Sequence, residues 1–209
     1  MQATPQYREE PHDIIAYELH GNGYLNITSR CTLRCSFCPK HQKTWEVQEY
    51  DLRLHREPSV EEVLEAVGNP AKYKSVVFCG LGEPTQRLDA LLEIARTLKR
   101  QGALIRVNTD GLASLINGRD VTPEMAEAVD SVSISMNAQD AELYERHCRP
   151  KRQGTFGAML DFALRARESG IDVTMTAIDG LPGVDIGACE RLARQLEVKF
   201  RRRVLDVVG

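Results

Sequence analysis

Residues 30–38 read Arg30-Cys31-Thr32-Leu33-Arg34-Cys35-Ser36-Phe37-Cys38 and place three cysteines at the spacing C-x3-C-x2-C. They follow a strand-like run, Tyr24-Leu25-Asn26-Ile27-Thr28, so the cysteines belong to a loop at the end of that strand. Cysteine thiolates are the usual ligands of iron–sulfur clusters, and a [4Fe–4S] cube needs four ligands. This loop supplies three. The fourth iron would stay open to bind a substrate, as the open position of a catalytic zinc does.

Two other interpretations of the same cysteines stay open at this point. His41 follows Cys38 by three residues, and zinc accepts a Cys3His ligand set, so the loop could be a zinc knuckle. Free thiols also pack as small hydrophobic groups inside proteins. Because three cysteines this close together seldom arise from packing alone, the spacing favours iron–sulfur over zinc, and zinc over packing.

The composition is that of an ordinary globular protein. The 209 residues are 42% hydrophobic and 27% charged, with a net charge of −3 and a pI near 6.0. Such a charge gives no general attraction to nucleic acids or anionic membranes. No apolar run approaches the ~20 residues of a membrane span. The polar first dozen residues resemble no signal or transit peptide, so the six cysteines predict a reducing, cytoplasmic location.

The order of the predicted elements indicates one α/β domain. We expect residues 1–12 to be a disordered N-terminal tail and residues 13–209 to be the domain. Two extended runs around His20-Gly21-Asn22-Gly23 predict a β-hairpin. Residues 39–56 show no clear period and are predicted to be a long surface loop. From Pro58 onward, strand and helix patterns alternate to the end of the chain.

Repeated β-α units force parallel strands with right-handed crossovers. Six such units are too few to close an eight-fold barrel. We therefore predict an open, partial (β/α)6 TIM-like barrel that follows the N-terminal β-hairpin, with a doubly wound sheet as the alternative. In both arrangements the functional side chains collect at the carboxyl ends of the strands.

Polar motifs follow the second and third parallel strands of this series. The second strand ends in Cys79-Gly80-Leu81-Gly82-Glu83-Pro84, where glycines let the backbone approach a ligand and the carboxylate can accept from a cation. The third ends in Asn108-Thr109-Asp110-Gly111, whose side chains can pair with vicinal hydroxyls, as acidic residues bind ribose in dinucleotide folds. Each motif taken alone is also compatible with an ordinary turn.

Three further features follow in the second half of the chain. Ser133, Ser135 and Asn137 alternate along the fourth strand and therefore share one face. Cys148 is predicted to lie on a connection after that strand. In Arg201-Arg202-Arg203, alternation aims the first and third side chains one way and the second the other. We interpret the run as solvated edge charge, with binding of an anionic substrate or of a cofactor carboxylate by one of the three as the alternative.

The cysteine loop resembles the C-x3-C-x-aromatic-C motif of the radical S-adenosylmethionine (SAM) superfamily. The resemblance implies a [4Fe–4S] cluster on Cys31, Cys35 and Cys38, with the amine and carboxylate of SAM on the fourth iron. One electron from the cluster would cleave SAM to methionine and a 5′-deoxyadenosyl radical, which takes a hydrogen atom from an unidentified substrate. Phe37, the aromatic residue before the last cysteine, is then expected near the adenine.

The strand-end motifs take their roles from the same resemblance. Gly82 and Glu83 are similar to the family's Gly-Gly-Glu motif, with the first glycine displaced, and would hold the amine of SAM. Asn108 and Asp110 are similar to an Asn-Thr-Asn-Gly motif, and together with Ser135 would hold the ribose or carboxylate. A partial barrel is the core for which radical SAM enzymes are known. Its lateral opening would admit a large substrate such as a peptide, a glycyl-radical enzyme or a nucleotide.

Additional runs resemble the TatD-associated radical SAM subfamily, from about residue 14 to the C-terminus. They include Tyr17-Glu18-Leu19-His20-Gly21-Asn22, Gly118-Arg119-Asp120-Val121-Thr122-Pro123 and Cys148-Arg149-Pro150. This resemblance implies two partners, a reductant protein of flavodoxin or ferredoxin type and a TatD-type metal-dependent hydrolase. Two non-catalytic alternatives remain, a zinc-stabilised binding module and a protein that binds SAM and a cluster without turnover. Leu81 and Asp110, which depart from the family motifs, keep the second alternative open.

Overall fold

The computed structural model of the protein describes residues 13–205, and the predicted tail at residues 1–12 lies outside this range. Its main feature is a seven-stranded sheet, accompanied by a separate two-stranded hairpin. The sheet strands are β1 (Ala16–Leu19), β2 (Asn22–Leu25), β5 (Val76–Phe78), β6 (Ile105–Thr109), β7 (Ser131–Ser135), β8 (Asp172–Asp179) and β9 (Lys199–Val204). The hairpin consists of β3 (Glu46–Val47) and β4 (Tyr50–Asp51).

The strands of the sheet follow one another in sequence order, β1-β2-β5-β6-β7-β8-β9. β1 and β2 are antiparallel, and every later pairing is parallel. Because the order never reverses, right-handed crossovers carry all the connecting helices over the same face of the sheet. A doubly wound sheet requires a reversal, so that alternative is wrong. The prediction of an open, partial barrel of six parallel strands with an N-terminal β-hairpin is confirmed, and β2 belongs to both.

The helices arise where apolar residues recur at helical spacing. α2 begins at a capping box in which the Ser59 hydroxyl accepts from the Glu62 amide and the Glu62 carboxylate accepts from the Ser59 amide. The helices are α1 (Pro39–Gln42), α2 (Val60–Val67), α3 (Leu88–Arg100), α4 (Ala113–Asn117), α5 (Thr122–Ala128), α6 (Ala141–Cys148), α7 (Thr155–Glu168) and α8 (Ile186–Gln195). No helix within residues 13–205 is both long and apolar enough to cross a membrane.

The two faces of the sheet carry different side chains. On the convex face, residues such as Phe78 and Val107 pack with the helices in one extended hydrophobic core. On the concave face, a smaller cluster at the β1–β2–β5 side joins Tyr24, Val77 and Leu81 to Leu52, which is completely buried. Toward β6–β9 the concave face is polar, as the alternating burial along β6 indicates.

The prediction for residues 39–56 is wrong. This segment contains α1 and the β3–β4 hairpin, and Tyr50 donates from its hydroxyl to the carbonyl of Glu18 at 3.2 Å. Its elements are two to four residues long, too short to produce a period in the sequence. Trp45 and Leu52 hold the segment over the concave face by packing against the apolar cluster there.

Local details also differ from the sequence-based expectations. The hairpin turn consists of His20 and Gly21, both at positive φ, because Leu19 pairs with Asn22. Besides α1, two helices, α4 and α6, were not predicted. α6 replaces the connection expected around Cys148, and its Asp140 side chain caps it by accepting from the Leu143 amide.

Candidate active site at the strand ends

The three cysteines of the loop lie beyond the carboxyl end of β2 and are partly exposed. No helix or strand covers residues 26–38, so the backbone of this loop has to find partners elsewhere. The amide of Glu83 donates to the carbonyl of Arg30 at 2.7 Å, and the ammonium of Lys40 donates to the carbonyl of Ser29. The end of β5 and the start of α1 therefore hold the loop on two sides.

The C-terminal end of α6 holds the loop on a third side. The last carbonyls of a helix have no partner within it. Here the carbonyl of Cys148 accepts from the Arg34 amide and that of His147 accepts from the Ser36 amide, both at 2.9 Å. The Cys148 thiol is buried and hydrogen-bonds with the Cys35 thiol. Cys148 thus lies at the cysteine loop, which the sequence did not indicate.

Two thiols of the loop, those of Cys31 and Cys35, have a raised pKa in the absence of metal. Burial, together with the carboxylates of Asp110 and Glu83, raises the pKa of Cys31 to about 12. The contact with Cys148, together with burial, raises the pKa of Cys35 well above its usual range. Metal binding to such thiols displaces their protons, so affinity for metal would rise with pH.

The Glu83 carboxylate is buried at the end of β5 and serves as an acceptor for the chain itself. Its Oε1 accepts from the Thr85 amide at 3.1 Å, from the Thr85 hydroxyl at 2.6 Å and from the Thr109 hydroxyl at 2.8 Å. Its Oε2 accepts from the Asp110 amide at 2.6 Å. Since each carboxylate oxygen offers about two lone pairs, Oε2 alone has capacity for another donor.

Asp110 connects the end of β6 to the cysteine loop. Its Oδ2 accepts from the Thr32 hydroxyl at 2.5 Å, and its Oδ1 accepts from the Leu112 amide at 3.0 Å. Burial and the neighbouring Glu83 carboxylate raise the pKa of Asp110 well above its usual value. Burial also raises the pKa of Glu83, against the lowering effect of its hydrogen bonds. Ionisation of either carboxyl therefore disfavours ionisation of the other.

The glycines after β5 approach other parts of the chain. A Cβ on Gly82 would lie 2.1 Å from the carbonyl oxygen of Thr28, and one on Gly80 would lie 2.2 Å from Oδ1 of Asn26. The missing side chains let the segment after β5 pack directly on the segment that leads to the cysteines. Leu81 points into the concave apolar cluster instead.

The remaining predicted site residues lie around this centre. Asn108 is half-buried on the concave face, and its Oδ1 has no hydrogen-bond partner among residues 13–205. Its amide hydrogen-bonds to the thiol of Cys79. Ser135 ends β7 and is half-buried, and Phe37 packs against the rim of the larger core. Asn108 is thus a buried acceptor available to a ligand.

Four residues at the site were missed in the sequence. The hydroxyls of Thr32, Thr85 and Thr109 donate to the buried carboxylates. The buried hydroxyl of Tyr144 has no partner in the described residues, and burial, with the nearby Cys148 and Asp110, raises its pKa. The threonines stand within or beside motifs that were recognised. Tyr144 lies on the unpredicted α6, so only recognition of that helix would have found it.

A family profile described as "Radical SAM superfamily" matches residues 25–196. This chain belongs to the radical SAM superfamily. Radical SAM proteins use a [4Fe–4S] cluster and SAM, which agrees with the prediction made from the three cysteines.

Two curated relatives are similar to this radical SAM chain. A tungsten-containing aldehyde ferredoxin oxidoreductase cofactor-modifying protein of Pyrococcus furiosus is 34% identical over 119 residues, 54% of this chain and 30% of the relative. A 7-carboxy-7-deazaguanine synthase of Halobacterium salinarum is 29% identical over 162 residues, 72% of this chain and 60% of the relative. The chain therefore spans less than two thirds of the length of both.

A solved structure supports the fold. SuiB of Streptococcus suis, crystallised with S-adenosylmethionine, has a TM-score of 0.61 to this chain at 14% sequence identity. The match covers 88% of this chain and 38% of SuiB. At that identity the likeness shows the shared partial-barrel fold.

The donor set fits an iron–sulfur cluster, because three cysteine thiols lie within eight residues and thiolates are the usual ligands of such clusters. Within residues 13–205, no group of three or more His, Cys, Asp or Glu side chains converges on one metal-ion position. A cube takes each thiolate on a different iron, so its ligands need to surround a larger body. Cys31 and Cys38 both lie close enough to Cys35 to raise its pKa, so the three thiols are near one another.

Proposed function

We propose that this protein is a radical SAM enzyme whose cluster is held by Cys31, Cys35 and Cys38. With cluster and SAM bound, the chemistry supplied is reductive cleavage of SAM to a 5′-deoxyadenosyl radical that abstracts hydrogen from a substrate. The proposal rests on the three-cysteine loop. Its cysteines are partly exposed and lie at the carboxyl ends of the parallel strands of a radical SAM fold.

The chain's own residues would orient SAM through the acceptors left free at the strand ends. We assign the methionine amine to Oε2 of Glu83, which within residues 13–205 accepts only from the Asp110 amide. Gly82 lets the segment after β5 pack directly against the backbone of Thr28. Asn108, with its unpartnered Oδ1, is assigned to the ribose or carboxylate together with Asp110 and Ser135. Phe37 is assigned to the adenine.

The concave apolar cluster would shield the reacting atoms from water. Leu81, Val77 and Leu52 line the β1–β2–β5 side of the concave face and leave its β6–β9 side polar. A radical abstracts hydrogen from whatever donor reaches it, so a site that excludes solvent protects the reaction. We therefore assign the substrate to the polar side of the concave face.

The test is anaerobic reconstitution with iron and sulfide, followed by dithionite and SAM, with 5′-deoxyadenosine measured by chromatography. Wild type is compared with Cys35→Ala and with Cys189→Ala, which removes a buried cysteine on α8, away from the loop. We expect wild type and Cys189→Ala to produce 5′-deoxyadenosine and Cys35→Ala to produce none. A colourless protein that holds one zinc ion and leaves SAM intact would instead identify the binding module. A brown protein that binds SAM without cleaving it would identify a member without turnover.

We further propose that the chain belongs to the TatD-associated subfamily, receives its electron from a flavodoxin- or ferredoxin-type protein, and works with a TatD-type hydrolase. The support is the set of motifs in residues 17–22, 118–123 and 148–150. Co-expression with a TatD-type hydrolase, followed by size-exclusion chromatography, tests the last point. Co-elution is the expected result, and separate elution at micromolar concentration would contradict a stable complex.

A further inference from the structure

Three arginines share the polar side of the concave face. On β6, Ile105 and Val107 belong to the convex core, so Arg106 between them faces the opposite way. On β8, Met175 and Ala177 also belong to that core. The pairing of β8 with β9 sets Thr176 beside Arg201 and Ile178 beside Arg203, which puts both arginines on the concave face.

Two hydrogen bonds confirm that Arg106 and Arg201 point to the concave face. Arg106 donates from Nη2 to the Tyr24 hydroxyl at 3.2 Å, and Arg201 donates from Nη2 to the Ser133 hydroxyl at 3.5 Å. Arg202, the intervening residue on β9, forms an ion pair with Asp179. The alternation predicted for residues 201–203 is therefore confirmed.

The three concave arginines have no carboxylate partner in the described part of the chain. Arg106, Arg201 and Arg203 form no ion pair with any residue of the range 13–205, and the buried Nε of Arg106 has no hydrogen-bond partner there. Buried charges in proteins are normally paired, because removing an ion from water without a partner is costly. Arg106 and Arg203, which are both half-buried, therefore lack the partner that such charges normally have, and the exposed Arg201 shares their face of the sheet.

Arg203 is half-buried on the concave face. The expectation that this run is solvated edge charge is wrong for it, because its side chain is only partly exposed while Arg201 and Arg202 are exposed. Burial, with the charge of Arg201, lowers the pKa of Arg203. It also acts electrostatically on Cys79 and Cys35, so it lies toward the cysteine end of the barrel.

We propose that Arg106, Arg201 and Arg203 bind an anionic group of the substrate, a carboxylate or a phosphate, on the concave face of the sheet. The planar guanidinium fork matches both groups and can bind them with two parallel hydrogen bonds. This inference rests on the proposed function in one respect, that the concave face receives the substrate. The anion would supply the negative charge that residues 13–205 do not place beside these arginines.

The test is isothermal titration of the anaerobically reconstituted protein, without SAM, at constant ionic strength. Inorganic phosphate and succinate are the two probes, so their relative affinities distinguish a phosphate site from a carboxylate site. The variants are Arg203→Gln and Arg106→Gln, with Arg202→Gln as the matched control on the same strand. We expect saturable binding of one probe, weakened at least about tenfold in the first two variants, since a hydrogen bond to a charged group contributes about 1.5–3 kcal/mol, and unchanged in the third.

A second variant guards against loss of folding. Arg203→Lys keeps the positive charge, so the protein should fold. It lacks the planar guanidinium that forms two parallel hydrogen bonds, so it should bind the probe more weakly than wild type. The inference is overturned if neither probe saturates, if Arg202→Gln loses as much affinity as Arg203→Gln, or if the variants weaken binding of SAM and leave the probes unaffected. The 5′-deoxyadenosine assay is independent of these titrations. SAM cleavage without anion binding would therefore reject the anion site alone, and anion binding without cleavage would reject the radical mechanism alone.

Discussion

At the scale of single residues, two buried carboxyls organise the strand ends. Glu83 takes hydrogen bonds from Thr85, Thr109 and the Asp110 amide, and Asp110 takes one from Thr32 in the cysteine loop. Both are almost completely buried. Hydrogen bonds compensate for part of the desolvation, but two adjacent negative charges in this environment still repel each other.

We predict that Asp110→Asn stabilises the protein at neutral pH. Because the pKa of Asp110 is raised in the folded state, its contribution to stability is complete below its ordinary pKa of 3.8 and is lost as pH rises through the folded pKa. We therefore expect a gain in the free energy of unfolding at pH 7.5 and a smaller gain at pH 5. Urea unfolding of the apoprotein at both pH values measures it.

An exposed aspartate provides the control for this comparison. Asp161→Asn on α7 breaks a solvent-exposed ion pair with Arg165 and should change stability by less than about 1 kcal/mol. An equal gain for Asp110→Asn at pH 5 and pH 7.5 would contradict the assignment of its effect to the raised pKa.

We also predict that Cys148 supports the cysteine loop without binding iron. Cys148→Ala removes a buried sulfur beside Cys35 and should cost roughly 1–2 kcal/mol of stability, within the usual range for one core substitution. Iron and acid-labile sulfide per chain after anaerobic reconstitution should equal wild type. The same measurement on Cys35→Ala should show little of either. Loss of iron from Cys148→Ala would make it a ligand.

At the scale of elements, the site depends on close contacts between segments far apart in sequence. The C-terminal carbonyls of α6 accept from the loop amides of Arg34 and Ser36, and the Glu83 amide after β5 donates to Arg30. These bonds use backbone groups that regular structure leaves free. They set the cysteine loop against two elements at once.

We predict that Gly82→Ala disrupts this packing. The new Cβ would lie 2.1 Å from the Thr28 carbonyl oxygen, and backbone cannot move aside as a flexible side chain can. We expect a loss of about 3 kcal/mol or more in urea unfolding, together with reduced iron uptake. Gly157→Ala on α7 adds the same methyl where nothing lies within 4 Å, and should be neutral or stabilising by up to ~1 kcal/mol. Equal effects of the two substitutions would contradict the close approach.

At the scale of the whole molecule, the concave face is divided between an apolar region and a cationic one. The segment that carries α1, β3 and β4 covers the side near β1, β2 and β5, with Leu52 completely buried. Arg106, Arg201 and Arg203 occupy the side near β6 and β9. The division leaves a polar surface next to the cysteine loop.

We predict that the covering segment unfolds together with the sheet. Trp45, the one tryptophan of the chain, packs in the concave cluster and reports on that segment, while far-ultraviolet circular dichroism reports on the helices. Because the segment packs on β1, β2 and β5 themselves, both signals should give the same urea midpoint. A Trp45 transition at clearly lower urea would show that the covering segment opens independently.

The sequence determined the features that depend on local pattern. The cysteine spacing predicted the cluster chemistry, and alternating strand and helix periods predicted six parallel strands in an open barrel. Alternation along residues 201–203 also predicted which arginines share a face. Those signals are local because side-chain direction follows directly from the period of the backbone. The roles assigned to Gly82, Glu83, Asn108, Asp110 and Ser135 in binding SAM remain predictions.

Only the tertiary structure decided what these residues contact. It showed that Gly82 lies against Thr28, that Cys148 lies against Cys35, and that α1 and the β3–β4 hairpin cover part of the concave face. It also showed that Arg203 is half-buried with no carboxylate partner among residues 13–205. Such facts depend on pairs of segments about 30 to more than 100 residues apart. Their approach is set by the packing of the whole sheet and leaves no period in the sequence.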